Sequence, residues 1–212
     1  MKELANRYKI FRDDKRALTS LIASFALLIF SLFVNFYAGT YAAEEASNYV
    51  NDIVLSNIRA YDLDGIFIYG PLVLWAFVVY LLLKNPKKIP FTIKSIALFV
   101  LIRSVFISLT HIGPFPTQVV LDSALINKFT FGADLFFSAH TGLPFLMALV
   151  FSENRYLRNL FVITAVFFGI VVLLAHLHYS IDVLSAFFIT YTIYKIAERF
   201  FKKDKELFNE EK

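Results

Sequence analysis

Cysteine is absent from this sequence of 212 residues, and charged side chains are scarce. Without a thiol, the chain has no disulfide, no thiolate nucleophile and no zinc site with cysteine ligands. Asp, Glu, Lys and Arg make up only 18% of the residues, whereas an average soluble domain has about a quarter. Hydrophobic residues reach 58% and include 25 Phe. The composition therefore excludes an ordinary soluble domain and indicates a membrane protein.

The sequence also shows no internal repeat, no low-complexity tract and no basic patch interleaved with aromatic residues. We therefore expect no nucleic-acid partner, and positively charged loop ends explain the formal net charge of +4. No separate soluble domain is visible. We predict a single membrane domain over residues 1–212, and a homo-oligomer stays open.

Six apolar segments come close to the ~20 residues that a helix needs to cross a bilayer. They cover about residues 17–38, 65–83, 92–111, 133–151, 159–177 and 180–197. The predicted fold class is all-α, a polytopic membrane protein with six transmembrane helices. A signal peptide ending near Ala43 is an alternative for the first segment, but its basic lead and apolar length favour an anchor.

Lys and Arg are nearly missing from alternate connections. All except Arg59, Arg103 and Lys128 lie in residues 1–16, 84–94, 152–159 and 195–212. The positive-inside rule then makes both termini cytoplasmic, including tails 1–16 and 198–212, and turns the connections 39–64, 112–132 and 178–179 outward. The first of these connections has Val50, Ile53, Val54 and Ile58 at helical spacing, which predicts a short amphipathic helix on the outer surface.

Unusual polar side chains collect at the outer ends of the predicted spans. His178 ends the fifth span and Asp182 lies one turn into the sixth. Three more lie near the outer start of the fourth span: Asp134, Ser138 and His140. Arg103 lies inside the third span, where an ionisable group costs ~2.5–3.5 kcal/mol, so we expect it to face the protein interior.

This set of side chains suits phosphoryl transfer. Residues four apart share a helix face, so His178 and Asp182 pair if the last span begins at or before His178. The carboxylate would fix the tautomer of the ring and support charge on it, which makes His178 a candidate nucleophile. His140 is a candidate acid and base, and Arg103 a candidate clamp for phosphoryl oxygens.

Each residue also has a simpler interpretation. His111 and His176 are predicted to be polar residues at the membrane boundary. Arg103 and Asp134 would also make a structural ion pair within the membrane. A zinc site needs three protein ligands whose side chains point toward the same ion. Residues that are two positions apart on a helix point to nearly opposite sides, so His176 and His178 are unsuited to bind one zinc ion together.

Two motifs carry a resemblance to a known family. The run GADLFFSAHT at 132–141 resembles the motif G-D-x-x-x-S-G-H-T of the sphingomyelin synthase branch of the type 2 phosphatidic acid phosphatase superfamily, with one extra residue after Gly132. The run AHLHYSIDV at 175–183 resembles its motif A-H-x-H-Y-x-x-D-V. The resemblance covers about residues 95–195, which we take as the catalytic core.

The resemblance implies a six-span enzyme that needs no metal or other cofactor and works on the extracytoplasmic side. It implies that His178 attacks a phospholipid phosphate, that Asp182 orients it, and that His140 is the acid and base. Substrates would then be a membrane phospholipid and a lipid alcohol, with Asp134 and Ser138 beside the phosphate. A bacterial inner membrane is favoured over a eukaryotic Golgi or plasma membrane, because no long cytosolic extension is present.

Two departures bear on the reaction. Ala139 stands where the family motif has Gly, so a methyl group occupies a place where backbone amides approach phosphate. The broader phosphatase branch has an Arg six residues before its second His, where this chain has Val172, and its K-x-x-x-x-x-x-R-P motif is absent. These differences favour headgroup transfer. Hydrolysis by a lipid phosphatase or phospholipase C, and a transport role without catalysis, remain alternatives.

Overall fold

Helices joined by turns make up the chain in the part that the computed structural model describes, residues 2–119 and 135–209. No strand occurs within those residues. The helices are α1 (Lys2–Asp13), α2 (Lys15–Glu44), α3 (Asp64–Lys84), α4 (Ile89–Leu109), α5 (Ala139–Val150), α6 (Arg155–Leu174), α7 (Ser180–Phe200) and α8 (Lys202–Asn209), with a 3-10 turn at Pro86–Lys88 before α4.

Five helices are long and apolar enough to cross a membrane: α2, α3, α4 with its leading 3-10 turn, α6 and α7. The fourth predicted span, 133–151, corresponds to α5, which is apolar but has only 12 residues. Residues 135–138 before it are not helical, although their side chains are mostly apolar. The prediction of an all-α polytopic membrane protein is confirmed, with a fourth apolar helix that is shorter than the hydropathy suggested.

The outward faces of these helices carry large apolar side chains, as expected for contact with lipid. Ile29 and Phe33 of α2 are 68% and 61% exposed, and Val73 of α3 is 71% exposed. The interior is packed with aromatic rings, among them the completely buried Phe99 and Phe137, whose centroids lie 5.3 Å apart. An apolar exterior around an aromatic core is the pattern of a bundle surrounded by lipid.

Gly142 of α5 lets three helices approach closely. A Cβ atom at this position would lie 2.7 Å from the ring of Phe99 in α4 and 2.9 Å from Oγ1 of Thr190 in α7. Any larger residue would therefore push α5 away from both neighbours. The close contact fixes the first turn of α5 against the middle of α7.

The bundle has two different ends. The site end carries the connections 45–63, 110–119 and 175–179, and the basic end carries α1, the 3-10 turn and α8. At the basic end, Lys94 Nζ donates to Asp204 Oδ2 at 2.6 Å and to Ser20 Oγ at 2.8 Å, which joins α4, α8 and α2.

The amphipathic helix predicted in the 39–64 segment is wrong. Instead, α2 continues to Glu44 and turns occupy residues 53–57. The side chain of Asp52 accepts hydrogen bonds from the backbone N–H groups of Val54 and Leu55, which stabilises a turn rather than a helix. Ile53, expected on the buried face of that helix, is 82% exposed.

Candidate active site

A five-residue turn, 175–179, joins α6 to α7 and carries two histidines. His176 has φ 54, in the left-handed region, and this residue reverses the chain after α6. The N–H of Leu177 donates to the carbonyl of Val172 at 2.9 Å, which closes the end of α6. The tight turn predicted between the last two spans is present and lies at the site end.

His178 and Asp182 form a buried pair at the start of α7. Nδ1 of His178 lies 3.4 Å from Oδ2 of Asp182, and the two residues are 8% and 0% exposed. The helix begins at Ser180, two residues after His178, so the pair does not share a helical face as the spacing argument assumed. It forms because Asp182 reaches back across the first turn, where its Oδ2 also accepts from the N–H of Tyr179 at 2.9 Å.

Two features of the pair are relevant to chemistry. Because Nδ1 faces the carboxylate, Nε2 is the ring nitrogen that remains for a reaction. Oδ1 of Asp182 is buried and has no hydrogen-bond partner among the described residues. An unsatisfied buried carboxylate oxygen is costly, so it favours a protonated neighbour or a polar ligand nearby.

Ser138 connects α5 to this pair. Its N–H donates to the backbone carbonyl of Asp182 at 3.1 Å, and its Oγ accepts from the N–H of Thr141 at 3.4 Å as the N-cap of α5. The hydroxyl group is completely buried. The predicted residue thus lies at the site, where its visible contacts hold the two helix starts together.

His140 lies in the first turn of α5, between aromatic rings. Its ring stacks on Phe67 of α3 with centroids 4.1 Å apart, and the edge-to-face contact with Phe168 of α6 measures 6.2 Å. It also lies within electrostatic range of His178 and Arg103 and hydrogen-bonds to the backbone of Phe67. Pro71 explains this last contact, because it lacks the N–H that would otherwise occupy the Phe67 carbonyl within α3.

Arg103 points into the bundle, as predicted, and is 6% exposed. Its Nε donates to the carbonyl of Phe137 at 2.8 Å, one residue before Ser138. The guanidinium therefore lies behind the start of α5 and brings positive charge to it. Asp134 and Gly132 fall outside the described residues, and so does the proposed ion pair between Arg103 and Asp134.

Asp52 is a residue of this site end that the sequence reasoning missed. Its Oδ2 accepts from the N–H and the hydroxyl group of Ser180, at 2.7 and 2.8 Å. Burial alone would raise the pKa of Asp52, but the hydrogen bonds from Leu55, Ser180 and Val54 outweigh it and hold the pKa below its ordinary value. The ionised carboxylate of Asp52 thus lies at the N-terminus of α7, which begins two residues after His178.

Further contacts tie all three connections together around the turn. The hydroxyl of Tyr179 donates to the carbonyl of Gly113 at 2.8 Å, and Gly113 has no room for a side chain because a Cβ would lie 2.2 Å from the carbonyl oxygen of Ser47. Nδ1 of His176 lies 2.5 Å from Oγ1 of Thr117. His176 is 3% exposed, so it is a buried structural residue rather than a boundary residue.

His111 stays at the edge of this assembly. Its Nε2 lies 3.1 Å from the carbonyl of Ser108, its own carbonyl accepts from the N–H of Ser47 at 2.8 Å, and its ring meets the edge of Tyr41. These contacts fit the boundary role that was expected. A local signal for Asp52 existed in the sequence, since Asp commonly starts such turns. Its partner Ser180, 128 residues later, had no signal.

A cavity of about 130 Å³ opens beside His140, between α3, α5 and α6. The position of the motifs at the outer ends of the spans predicts that substrate enters laterally between the third, fourth and sixth spans, near Arg103. Among the described residues, the cavity that reaches His140 lies instead between the helices of the second, fourth and fifth predicted spans. Ala139, the departure from the family motif, lines it together with the ring of Phe168.

Comparison with known proteins agrees with the arrangement. Residues 132–199 match the family model described as PAP2 superfamily C-terminal. This range includes Ser138, His140, His178 and Asp182. The match supports the type 2 phosphatidic acid phosphatase superfamily and a lipid phosphatase or phosphotransferase type of function. No curated protein and no solved structure gives a match.

Proposed function

We propose that this protein transfers a phospho-headgroup from a phospholipid to a lipid alcohol of the ceramide or diacylglycerol type. One observation carries the proposal: the buried pair of His178 and Asp182 lies at the same end of the bundle as His140 and Arg103. Nε2 of His178 attacks phosphorus, and the bond between phosphorus and the glycerol oxygen breaks. That oxygen keeps the electron pair and takes a proton from His140, so diacylglycerol leaves.

The second half of the reaction reverses these roles. The hydroxyl of the acceptor gives its proton to His140, its oxygen bonds to phosphorus, and the bond between phosphorus and His178 breaks. Asp182 supports the positive charge on the imidazole ring during both halves. The guanidinium of Arg103, a residue of α4, lies behind the start of α5 and supplies positive charge where negative charge develops on the phosphoryl oxygens. The N-terminus of α5 adds its own partial positive charge there.

Hydrolysis is the alternative outcome of the same covalent intermediate. Water in place of the lipid alcohol would make the protein a lipid phosphatase or a phospholipase C. The cavity beside His140 favours the lipid acceptor, because its mostly apolar walls give water few hydrogen-bond partners on the side where the acceptor must bind. His140, His178, Asp182 and Arg103 gather at one end of the bundle, an arrangement less suited to transport across it.

The test is incubation of purified protein with phospholipids of different headgroups, with and without ceramide or diacylglycerol, followed by mass spectrometry of the lipids. A transferase makes a new phospholipid on the acceptor and releases diacylglycerol. Release of a soluble phosphate ester or of phosphate, whether or not an acceptor is present, would establish the hydrolase. The His178→Ala variant serves as the inactive control.

The site is further proposed to face the extracytoplasmic side, with the basic end in the cytoplasm. Support comes from the distribution of Lys and Arg, which places the positively charged connections at the end opposite to His178. Attachment of a membrane-impermeant reagent to a cysteine introduced at exposed Ile53, in intact cells, tests this orientation. The natural absence of cysteine makes the labelling unambiguous.

A further inference from the structure

We propose that the cavity beside His140 is a binding site for an acyl chain of the lipid alcohol that leaves and of the one that replaces it; the inference rests on the proposed function. The cavity lies between α3, α5 and α6, and His140 is its one ionisable lining residue within the described part of the chain. Its other walls are apolar and include Leu74, Trp75, Leu143 and Phe168.

The surroundings of the cavity determine what occupies it. It lies among helix faces that point to lipid: Leu72 of α3 is 60% exposed, and Ile170 of α6 is 51% exposed. A polar headgroup would lose its hydration against such walls without gaining hydrogen bonds. A hydrocarbon chain arriving from the bilayer loses nothing, so the occupant is an acyl chain.

The size of the cavity limits the part of the chain that it holds. The volume of the cavity is about 130 Å³, which is roughly four times the ~30 Å³ that one water molecule occupies in liquid water. Along α5, the lining runs from Ala139 to Pro144, a rise of about 7 Å. The cavity therefore accepts the carbons nearest to the glycerol or ceramide oxygen, and the rest of the chain extends into the bilayer.

This position explains which bond breaks. In phosphoryl transfer the attacking and leaving atoms lie roughly in line on opposite sides of phosphorus. With His178 as the attacking group and His140 as the proton donor, the leaving oxygen is on the side of His140. Because the acyl-chain site begins there, the leaving alcohol is the one that bears the chains. The headgroup stays on phosphorus and is passed on.

The same geometry applies to the acceptor. The acceptor oxygen must approach from the side that the leaving oxygen vacated, with His140 now taking its proton. The cavity therefore admits two lipids in turn. Filling it should weaken both donor and acceptor binding, and leave reaction with a donor that has no acyl chain unchanged.

Trp75 makes this site measurable, because it is the single Trp of the chain and lines the cavity. The His178→Ala variant in nonionic detergent, titrated with phospholipid brominated at carbons 6 and 7 of an acyl chain, should show saturable quenching of its fluorescence. Unbrominated diacylglycerol should compete with it, and bromines at carbons 11 and 12 should quench at least twofold less. Quenching that rises in proportion to the lipid fraction, without competition, would overturn the proposal.

Substitution of Leu143 provides the second arm. Leu143→Phe narrows the cavity and should raise KM for a long-chain phospholipid at least fivefold, while turnover of the p-nitrophenyl ester of the same phospho-headgroup changes less than twofold. Leu109→Phe, on a 74% exposed residue of α4, is the matched control and should change neither. Leu143→Ala, which enlarges the cavity, keeps the test available if the larger side chain prevents folding.

The outcomes separate this inference from the proposed function. Saturable, competed quenching without any transfer or hydrolysis product would support the chain site and overturn the proposed function. Transfer activity with equal effects of Leu143→Phe on the lipid and on the p-nitrophenyl ester would overturn the chain site alone.

Discussion

The two histidines of the site have opposite surroundings. His178 lies on a turn held by polar contacts: its ring faces Asp182, the neighbouring Tyr179 binds the Gly113 carbonyl, and Asp52 binds Ser180. His140 is held by the ring of Phe67 and adjoins an apolar cavity. The difference supports the proposal that the two residues act on different parts of a lipid, His178 on the phosphate and His140 on the oxygen that carries the chains.

Replacing each histidine by alanine should distinguish the two environments most strongly. His178→Ala removes the atom that takes the phosphoryl group, so we expect no labelled protein and no turnover. His140→Ala leaves that atom and removes proton transfer, so labelling should be slower by ~10²–10⁴-fold, with stalled release. The measurement is acid-labile, base-stable label trapped from a radioactive phospholipid.

His111→Ala is the control for this pair, since His111 lies at the same end with no contact to either ring among its described contacts. It should label at the rate of the unaltered protein. Labelling that persists in His178→Ala would mean that another residue attacks, and full activity in His140→Ala would remove its assignment as acid and base.

The next largest effect is expected on the polar side. Asp182→Asn keeps the shape of the side chain but removes the charge that supports the imidazole ring, so turnover should fall on the order of 10²-fold or more. The amide oxygen can still accept from the N–H of Tyr179, so the protein should stay folded. Turnover and thermal unfolding in detergent, measured on the same preparation, check the expected loss of activity and the expected retention of the fold. Loss of folding together with loss of activity would make Asp182 a structural residue.

Asp52 offers a sharper test of the polar side, because its hydrogen bonds go to backbone N–H groups and to the hydroxyl of Ser180. Asp52→Ala leaves the N–H groups of Val54, Leu55 and Ser180 without their acceptor, so we expect about 1–3 kcal/mol lower stability to unfolding. The turn with His178 should loosen and slow labelling about tenfold. Glu45→Ala, on an exposed acidic residue at the start of the same connection, should change neither quantity.

The pH dependence of this contact follows from the pKa of Asp52, which lies below its ordinary value. A carboxylate with a depressed folded-state pKa stabilises the fold fully above its unfolded pKa of ~3.9, and the contribution is lost as pH falls through the folded value. The stability difference between the unaltered protein and Asp52→Asn should therefore be constant from pH 7 to about pH 5 and shrink below ~4. A difference that grows on acidification would contradict the assignment.

The smallest effect is expected at the third histidine. His176→Asn keeps a residue type that tolerates φ 54 and removes the ring that contacts Thr117 and Phe115. Stability should fall by about 1 kcal/mol, as for one lost hydrogen bond, with labelling unchanged. His176→Val, which does not tolerate the left-handed conformation, should cost more. If His176→Asn abolished labelling, a catalytic role for His176 would replace the structural one.

The sequence made much of this arrangement predictable. The apolar lengths predicted five of the helices, with bounds that differ from the observed ones by up to about six residues. The positions of His140, His178 and Asp182 at the ends of the predicted segments were sufficient to bring them to one end. Hydropathy failed at α5, because residues 135–138 are mostly apolar but not helical, so composition counted them into a helix. Asp52 was missed because its partner Ser180 is distant in sequence, and such contacts leave no periodic pattern.

The cavity beside His140 was not evident from the sequence. His140 hydrogen-bonds to the backbone of Phe67 in α3, and Pro71 lacks the N–H that would otherwise bind this carbonyl. A proline within a helical segment can be read from the sequence. Which side chain uses the released carbonyl depends on the packing of α3 against α5, which only the three-dimensional structure gives.

The shortness of α5 has a consequence for the membrane itself. Twelve residues rise about 18 Å, whereas the hydrocarbon layer is about 30 Å thick. Val150 ends the helix near the basic end, where Lys88 lies over the ring of Phe151. Under the proposed function, a phospholipid would sink, or the bilayer would thin around the protein, so that its phosphate meets the histidines at the start of this short helix. We therefore expect turnover to rise in bilayers of shorter-chain lipids, with the thickness of the membrane regulating the proposed reaction.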